Sequence, residues 1–212
     1  MAVVIDNKGG AGGNLGSADV AKQAPADGHT LLLAASGPMA VNPTLYRSMP
    51  FNPLTDLAPV IQISSFPLVL EVHPGLGVKS VKELIALAKG KPGEIVYASA
   101  GRGTPAHLAG ELFKLQTKTF ITHIPYRGAG PALQDLISGQ VDMMFDGLGS
   151  SANHIKGGRI RGIAVAADKR APGFADLPTA PEGGVPTYKV STWYGIWAPK
   201  GTPREVIAAM QA

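Results

Sequence analysis

The residues best placed to do chemistry sit where apolar runs give way to glycine. Asp146 ends the run Val141 to Phe145 and precedes Gly147 to Ser151. Ala100-Gly101-Arg102-Gly103 follows Glu94 to Ser99 and leads into Thr104-Pro105. Gly9 to Gly16 follows Val3 to Asp6 and leads into Asn14. Each reads as a buried strand, a glycine loop and a helix start. A helix start leaves unpaired N–H groups and a partial positive charge, so it can bind carboxylate or phosphate. Glycine lets the backbone come close to such a ligand. Any α/β chain also needs glycine in its βα turns, so both explanations stay open for these loops.

Other chemistry is thin. The histidines are His29, His73, His107, His123 and His154, with no H-x-x-x-H pair among them. With no cysteine, a disulfide, a zinc-thiolate site and a thiol nucleophile are excluded, and a metal would need carboxylates gathered by the fold. His107 falls at the third position of the helix opened by Thr104, where it either faces an anion or caps the turn. Asp146 either accepts from a ligand amine or hydroxyl, or caps the next turn. Ser64, Ser65, Ser99 and Ser150 lack the G-x-S-x-G elbow and a base placed by spacing. After Gly10 and Gly12 the dinucleotide spacing calls for a third glycine at position 15, which is Leu15. No cofactor and no metal are expected.

The elements that hold these loops alternate between strand and helix patterns, which predicts α/β layers with mostly parallel sheets. Helices are expected over about Asn14 to Gln23, Asn42 to Ser48, Val81 to Gly90 after a Ser80/Glu83 capping box, and Pro105 to Gln116 with Leu108, Leu112 and Leu115 inward. Another runs from Gly130 to Gly139, and a second capping box at Thr202 and Glu205 opens the last. Strands are expected at Val3 to Asp6, Thr30 to Ala35 (buried on both faces), Ala58 to Val72 with a break at Pro67, Glu94 to Ser99, Ile121 to Ile124, Val141 to Phe145, Ile160 to Ala166 and Val190 to Ala198. Trp193, Tyr194 and Trp197 read as packing residues. Of 212 residues, 45% are hydrophobic and 16% charged, which argues against disorder. The net charge of +4 is scattered, so no nucleic-acid partner is expected. No apolar stretch approaches the roughly 18 residues needed to span a bilayer.

Several segments together resemble one family, the extracytoplasmic solute receptors of tripartite tricarboxylate transporters, or Bug receptors. They are Asn7 to Gly16, Ala24 to Leu32, Tyr97 to Leu108, His123 to Gly128, Val141 to Asp146, and Trp193 to Pro203. The resemblance implies a two-lobe periplasmic binding protein of the Venus flytrap kind, type II-like, each lobe a mostly parallel sheet flanked by helices. The lobes would be residues 1–72 with 188–212, and residues 73–187. A small carboxylate would sit between them, for delivery to membrane permease subunits, with no enzymatic activity and no cofactor. Carried onto this chain, the ligand-binding residues are Gly12, Gly13, Asn14, Ala35 and Ser36 in the first lobe, and Ala100, Gly101, Gly103, Thr104, His107 and Asp146 in the second. The family's signal peptide, its first strand–loop–helix unit and the end of its C-terminal helical region have no counterpart here, so a truncated form that binds ligand weakly or not at all is expected, the full-length protein being a periplasmic monomer. Two other readings remain: an α/β, transferase-like enzyme acting on a phosphorylated or carboxylate substrate, and a ligand-sensing partner of a membrane sensor kinase.

Overall fold

The computed structural model describes Ala2–Ala212. Along the chain come α1 (Asn14–Gln23), β1 (Leu32–Ala35), α2 (Asn42–Leu45), β2 (Leu57–Pro67), β3 (Val69–Val72), α3 (Val81–Gly90) and β4 (Val96–Ser99). There follow α4 (Pro105–Thr117), β5 (Thr122–Pro125), α5 (Ala129–Ser138), β6 (Met143–Asp146), α6 (Leu148–Lys156), β7 (Arg161–Val165), β8 (Ser191–Pro199) and α7 (Arg204–Gln211). These fall into two compact units: residues up to Ser65 together with Trp193–Ala212, and Phe66–Thr192. The expected boundary at 72/73 moves to 65/66, because β3 is an interior strand of the second unit's sheet and belongs with it, and the one at 187/188 moves to 192/193.

The second unit's sheet has the order β5-β4-β6-β3-β7. β4 is parallel to both β5 and β6, but β3 is antiparallel to β6 and to β7. In the first unit the order is β1-β8-β2, and β1 is antiparallel to β8. The second unit's sheet is thus mixed rather than mostly parallel. The expected double covering of β1 fails as well: Leu32 and Ala34 are buried, while Leu33 is 61% exposed.

One face of the second sheet carries a continuous core in which Leu70, Phe145 and Tyr97 meet Leu84 of α3 and Phe113 of α4. The other face is split. Met144 and Ala98 pack with Leu133 and Leu136 of α5, whereas Val69 and Val165 pack separately with Leu177. Glu71 stands in the gap, opposite Met144 and two residues from Val69. In the first unit Val20, Leu32, Phe51 and Leu57 form the core, with Trp193 and Trp197 packed against it.

Local signals explain most helix ends. Ser80 Oγ accepts from Glu83 N at 3.2 Å, and Glu83 Oε2 accepts from Lys79 N at 2.8 Å. Three expectations are corrected. Val3 to Asp6 is not a strand: it pairs with none of the described residues, and Val4 is 88% exposed. The inward face of α4 is Ala106, Ala109, Gly110 and Phe113, while Leu108 lies at the surface and Leu115 is 76% exposed. At α7 the N-cap is Pro203, with no side-chain cap, because Thr202 Oγ1 donates instead to Pro199 O at 2.8 Å.

Candidate functional site

β4 and β6 are parallel neighbours, Tyr97 opposite Met143 and Ala98 opposite Met144. Their carboxyl ends therefore lie side by side, with the loops that begin α4 and α6. This is where ligands collect in open α/β sheets. The two helix starts differ in how far they are already satisfied. At α4, Thr104 Oγ1 accepts from His107 N at 3.4 Å and donates to Gly101 O at 2.7 Å. Gly103 N donates to His107 Nδ1 at 3.2 Å, and Gly101 N to Ser99 Oγ at 3.1 Å. Ala100 is half-buried at the head of this loop. The N–H groups of Gly101, Gly103 and His107 are thus committed within the loop, and His107 caps it.

At α6 the N-cap is Gly147, which brings no side chain to the orphan N–H groups of the first turn. Asp146, immediately before it, accepts from Ser150 Oγ at 2.5 Å. Burial pushes the Asp146 carboxyl above the usual range, and the Ser150 hydroxyl and Gly147 N–H pull the other way. This corner presents one carboxylate, the Ser150 hydroxyl and an uncapped helix start.

In the first unit the expected residues also come together. Gly13 is the N-cap of α1 at φ 95°, and a Cβ there would press on the Pro38 ring at 3.2 Å. Gly12 is buried in the preceding turn. Ala35 ends β1, and the buried Ser36 opens the turn Gly37–Val41. Asn14 is buried, and its Oδ1 accepts from Asn42 Nδ2 at 2.7 Å. Asn42, fully buried, is a member of this group that spacing did not reveal.

The family model described as tripartite tricarboxylate transporter family receptor matches residues 1–212. The chain belongs to that family. The protein BugT of Bordetella pertussis is 41% identical to this receptor-family chain over 209 residues, 98% of this chain and 64% of BugT. A Pseudomonas sp. (strain P51) protein from the tcbD-tcbE intergenic region is 40% identical over 211 residues, 99% of this chain and 62% of its own length. The chain thus spans under two thirds of the curated relatives it matches. Among solved structures, Rpa4515 of R. palustris with adipate superposes with a TM-score of 0.94 at 42% identity, over 98% of this chain and 69% of that one. MatC of Rhodopseudomonas palustris with bound malate gives 0.88 at 32% identity, over 95% and 68%.

This receptor chain also holds a polar network that the sequence hid. Pairing of β4 with β5 sets Tyr97 opposite His123, with ring centroids 4.7 Å apart. The rings of His123 and His107 lie 4.5 Å apart. Tyr97 donates to Glu111 Oε1 at 2.7 Å. Ser99 Oγ lies 2.7 Å from His123 Nε2 and 3.1 Å from Gly101 O. All three contacts of Ser99 are met if it donates to Gly101 O and accepts from Gly101 N–H and His123 Nε2–H. A serine–histidine contact therefore exists, but Ser99 has no exposed surface with which to meet a substrate.

Burial, and next the neighbouring His107, hold the His123 imidazole down at about 4; burial also lowers His107. A histidine kept neutral in the fold contributes stability above its unfolded value of about 6.5, lost as pH falls toward the folded one. Between about pH 6.5 and 4 the native chain is expected to lose about 1–2 kcal/mol through His123, after allowance for screening at a half-buried ring. Urea unfolding of wild type and His123→Asn across that range checks this. Equal pH slopes in the two would show that His123 carries none of it.

Among the described residues no three or more His, Asp or Glu gather to hold a metal ion. No helix among them is long and apolar enough to cross a membrane.

Proposed function

We propose that this chain is the ligand-binding portion of a periplasmic solute receptor that takes a small organic carboxylate and hands it to the permease subunits of a tripartite tricarboxylate transporter. The observation that carries this reading is the side-by-side placement of the β4 and β6 carboxyl ends, with α4 and α6 starting there. In the second unit Ala100, Gly101, Gly103, Thr104 and His107 form a rigid wall, since their hydrogen bonds close on one another. Asp146 and the uncapped start of α6 supply the groups that meet the ligand. In the first unit Gly12, Gly13, Asn14, Ala35 and Ser36 form a separate group of candidate ligand-binding residues. Relatives solved with adipate and with malate support a di- or hydroxydicarboxylate as the ligand class.

Binding without catalysis is favoured, because the Ser99–His123 pair is sealed from any substrate. A thermal-shift screen of dicarboxylates, tricarboxylates, acidic amino acids and aromatic acids, run to high millimolar concentration, tests the proposal. A carboxylate present at about 100 times its Kd is expected to stabilise the chain by about 2.7 kcal/mol. Silence from every carboxylate, with a shift from a phosphorylated compound, would favour the enzyme reading instead.

A further inference from the structure

Glu71 is a carboxyl in the wrong place for a charge. Its side chain is fully buried in the gap between the two apolar clusters on the α5–α6 face. Both carboxyl oxygens lack a well-formed hydrogen bond, and neither has surface that a water molecule could touch. An ionised carboxylate in such a site needs a cation or several donors. From β6 the facing charged group is Asp146, of like sign. From α6 it is the hydroxyl of Ser151, also fully buried. From β7 the residue opposite is Gly162, which brings no side chain. No Lys, Arg or His among the described residues pairs with it.

Ser151 offers a carboxylate little. Its single proton is directed to Gly147 O at 3.2 Å; turned to Glu71 it would pull that carboxyl down, but by less than burial raises it. A carboxyl that carries its own proton needs no donor and can itself donate to the Ser151 oxygen. Asp146 is better supplied, with the Ser150 hydroxyl and the Gly147 N–H donating to it. Two neighbouring carboxyl groups resolve by placing the proton where burial is deepest and donors are fewest.

We propose that Glu71 is a neutral carboxylic acid in the folded chain, and that its proton leaves Asp146 the single negative charge at the β6–α6 turn, as acceptor for a ligand hydroxyl or ammonium group. Glu71 is a positioning residue that acts through Asp146, and the last clause rests on the ligand-binding reading given above. Burial, the main cause, holds the Glu71 carboxyl well above the usual range, against the pull of the Ser151 hydroxyl and with Asp146 adding to the rise. An acid of this kind contributes stability below its unfolded value, lost as pH rises through the folded one.

Two measurements on the ligand-free chain test the proton. Refolding wild type from urea at about pH 8 is expected to take up about one proton per chain. Between the unfolded and folded values of Glu71 the folding equilibrium constant of wild type should fall about tenfold per pH unit relative to Glu71→Gln. No proton uptake, or equal slopes in the two proteins, overturns the assignment; the uptake measurement needs no variant to fold. Calorimetric titration with malate and succinate, which differ by one hydroxyl, tests the second half. A preference for malate of about tenfold, kept in Glu71→Gln and lost in Asp146→Ala, supports Asp146 as the acceptor. Equal affinities in wild type overturn that half alone and leave the protonated acid standing.

Discussion

Truncating Phe145 to alanine is expected to destabilise the second unit by about 3–5 kcal/mol. The side chain is fully buried, with ring centroids 6.0 Å from Phe113, 6.0 Å from Tyr188 and 6.3 Å from Tyr97. Tyr188 is pinned by its hydroxyl, which donates to Ala109 O at 2.8 Å, and Tyr97 by Glu111. Because these rings are tethered, the core cannot collapse into the space left behind, which places the cost in the upper part of that range. Against a total stability of about 5–15 kcal/mol this is a large fraction. Phe145 directly precedes Asp146, so carboxylate affinity should fall along with stability. Urea unfolding followed by circular dichroism measures the effect, and a loss below about 1 kcal/mol would mean that the aromatic cluster repacks freely.

Replacing Gly110 by valine is expected to cost about 3 kcal/mol, by overpacking. A Cβ at this position would clash with the Tyr97 ring at Cε2, Cζ and Cδ2. Tyr97 has nowhere to go: its hydroxyl is held by Glu111 and His107 O, and its ring is stacked on His123. Alanine at Gly149 is the control. That glycine lies inside α6, and nothing stands within 4 Å of the place its added methyl would take. The same kind of change there should gain about 0.5–1 kcal/mol from helix propensity. Thermal melts of the two variants should therefore move in opposite directions. A neutral Gly110→Val would show that α4 can slide away from the sheet.

The same contact explains what could be read from the sequence and what could not. Helix starts were legible wherever one residue decides them: Thr104 before Pro105 and Ser80 before Val81. So was one helix end, where Gly139 closes α5 at φ 77°. The inward face of α4 was not. Leucine spacing pointed to Leu108 and Leu115, but close approach to a buried tyrosine selects small residues, and Ala106, Ala109 and Gly110 face the sheet instead. Val3 to Asp6 has strand composition, yet composition cannot supply a pairing partner, and among the described residues it finds none. At the candidate site, Asp146 and the Thr104 loop followed from the strand–glycine–helix pattern. The Ser99–His123 and Asn14–Asn42 contacts join positions 24 and 28 residues apart, through sheet pairing in one case and turn packing in the other, which no spacing rule encodes. Glu71 did leave a trace, as the lone acid in Leu68-Val69-Leu70-Glu71-Val72, but such a residue usually marks a solvent-facing side.

The strand order β1-β8-β2 has a consequence for how the chain acquires its structure. β8 is the middle strand of the first unit's sheet, so β1 and β2 have no bridge between them until Ser191–Pro199 arrives. Leu32 then pairs with Trp197 across 165 positions of chain, a closure whose entropy is met late and slowly. Phe66–Thr192 is by contrast one uninterrupted run. During synthesis this run is complete while the first unit still waits for Trp193–Ala212 to be made, its apolar strands meanwhile exposed to chaperones or to aggregation.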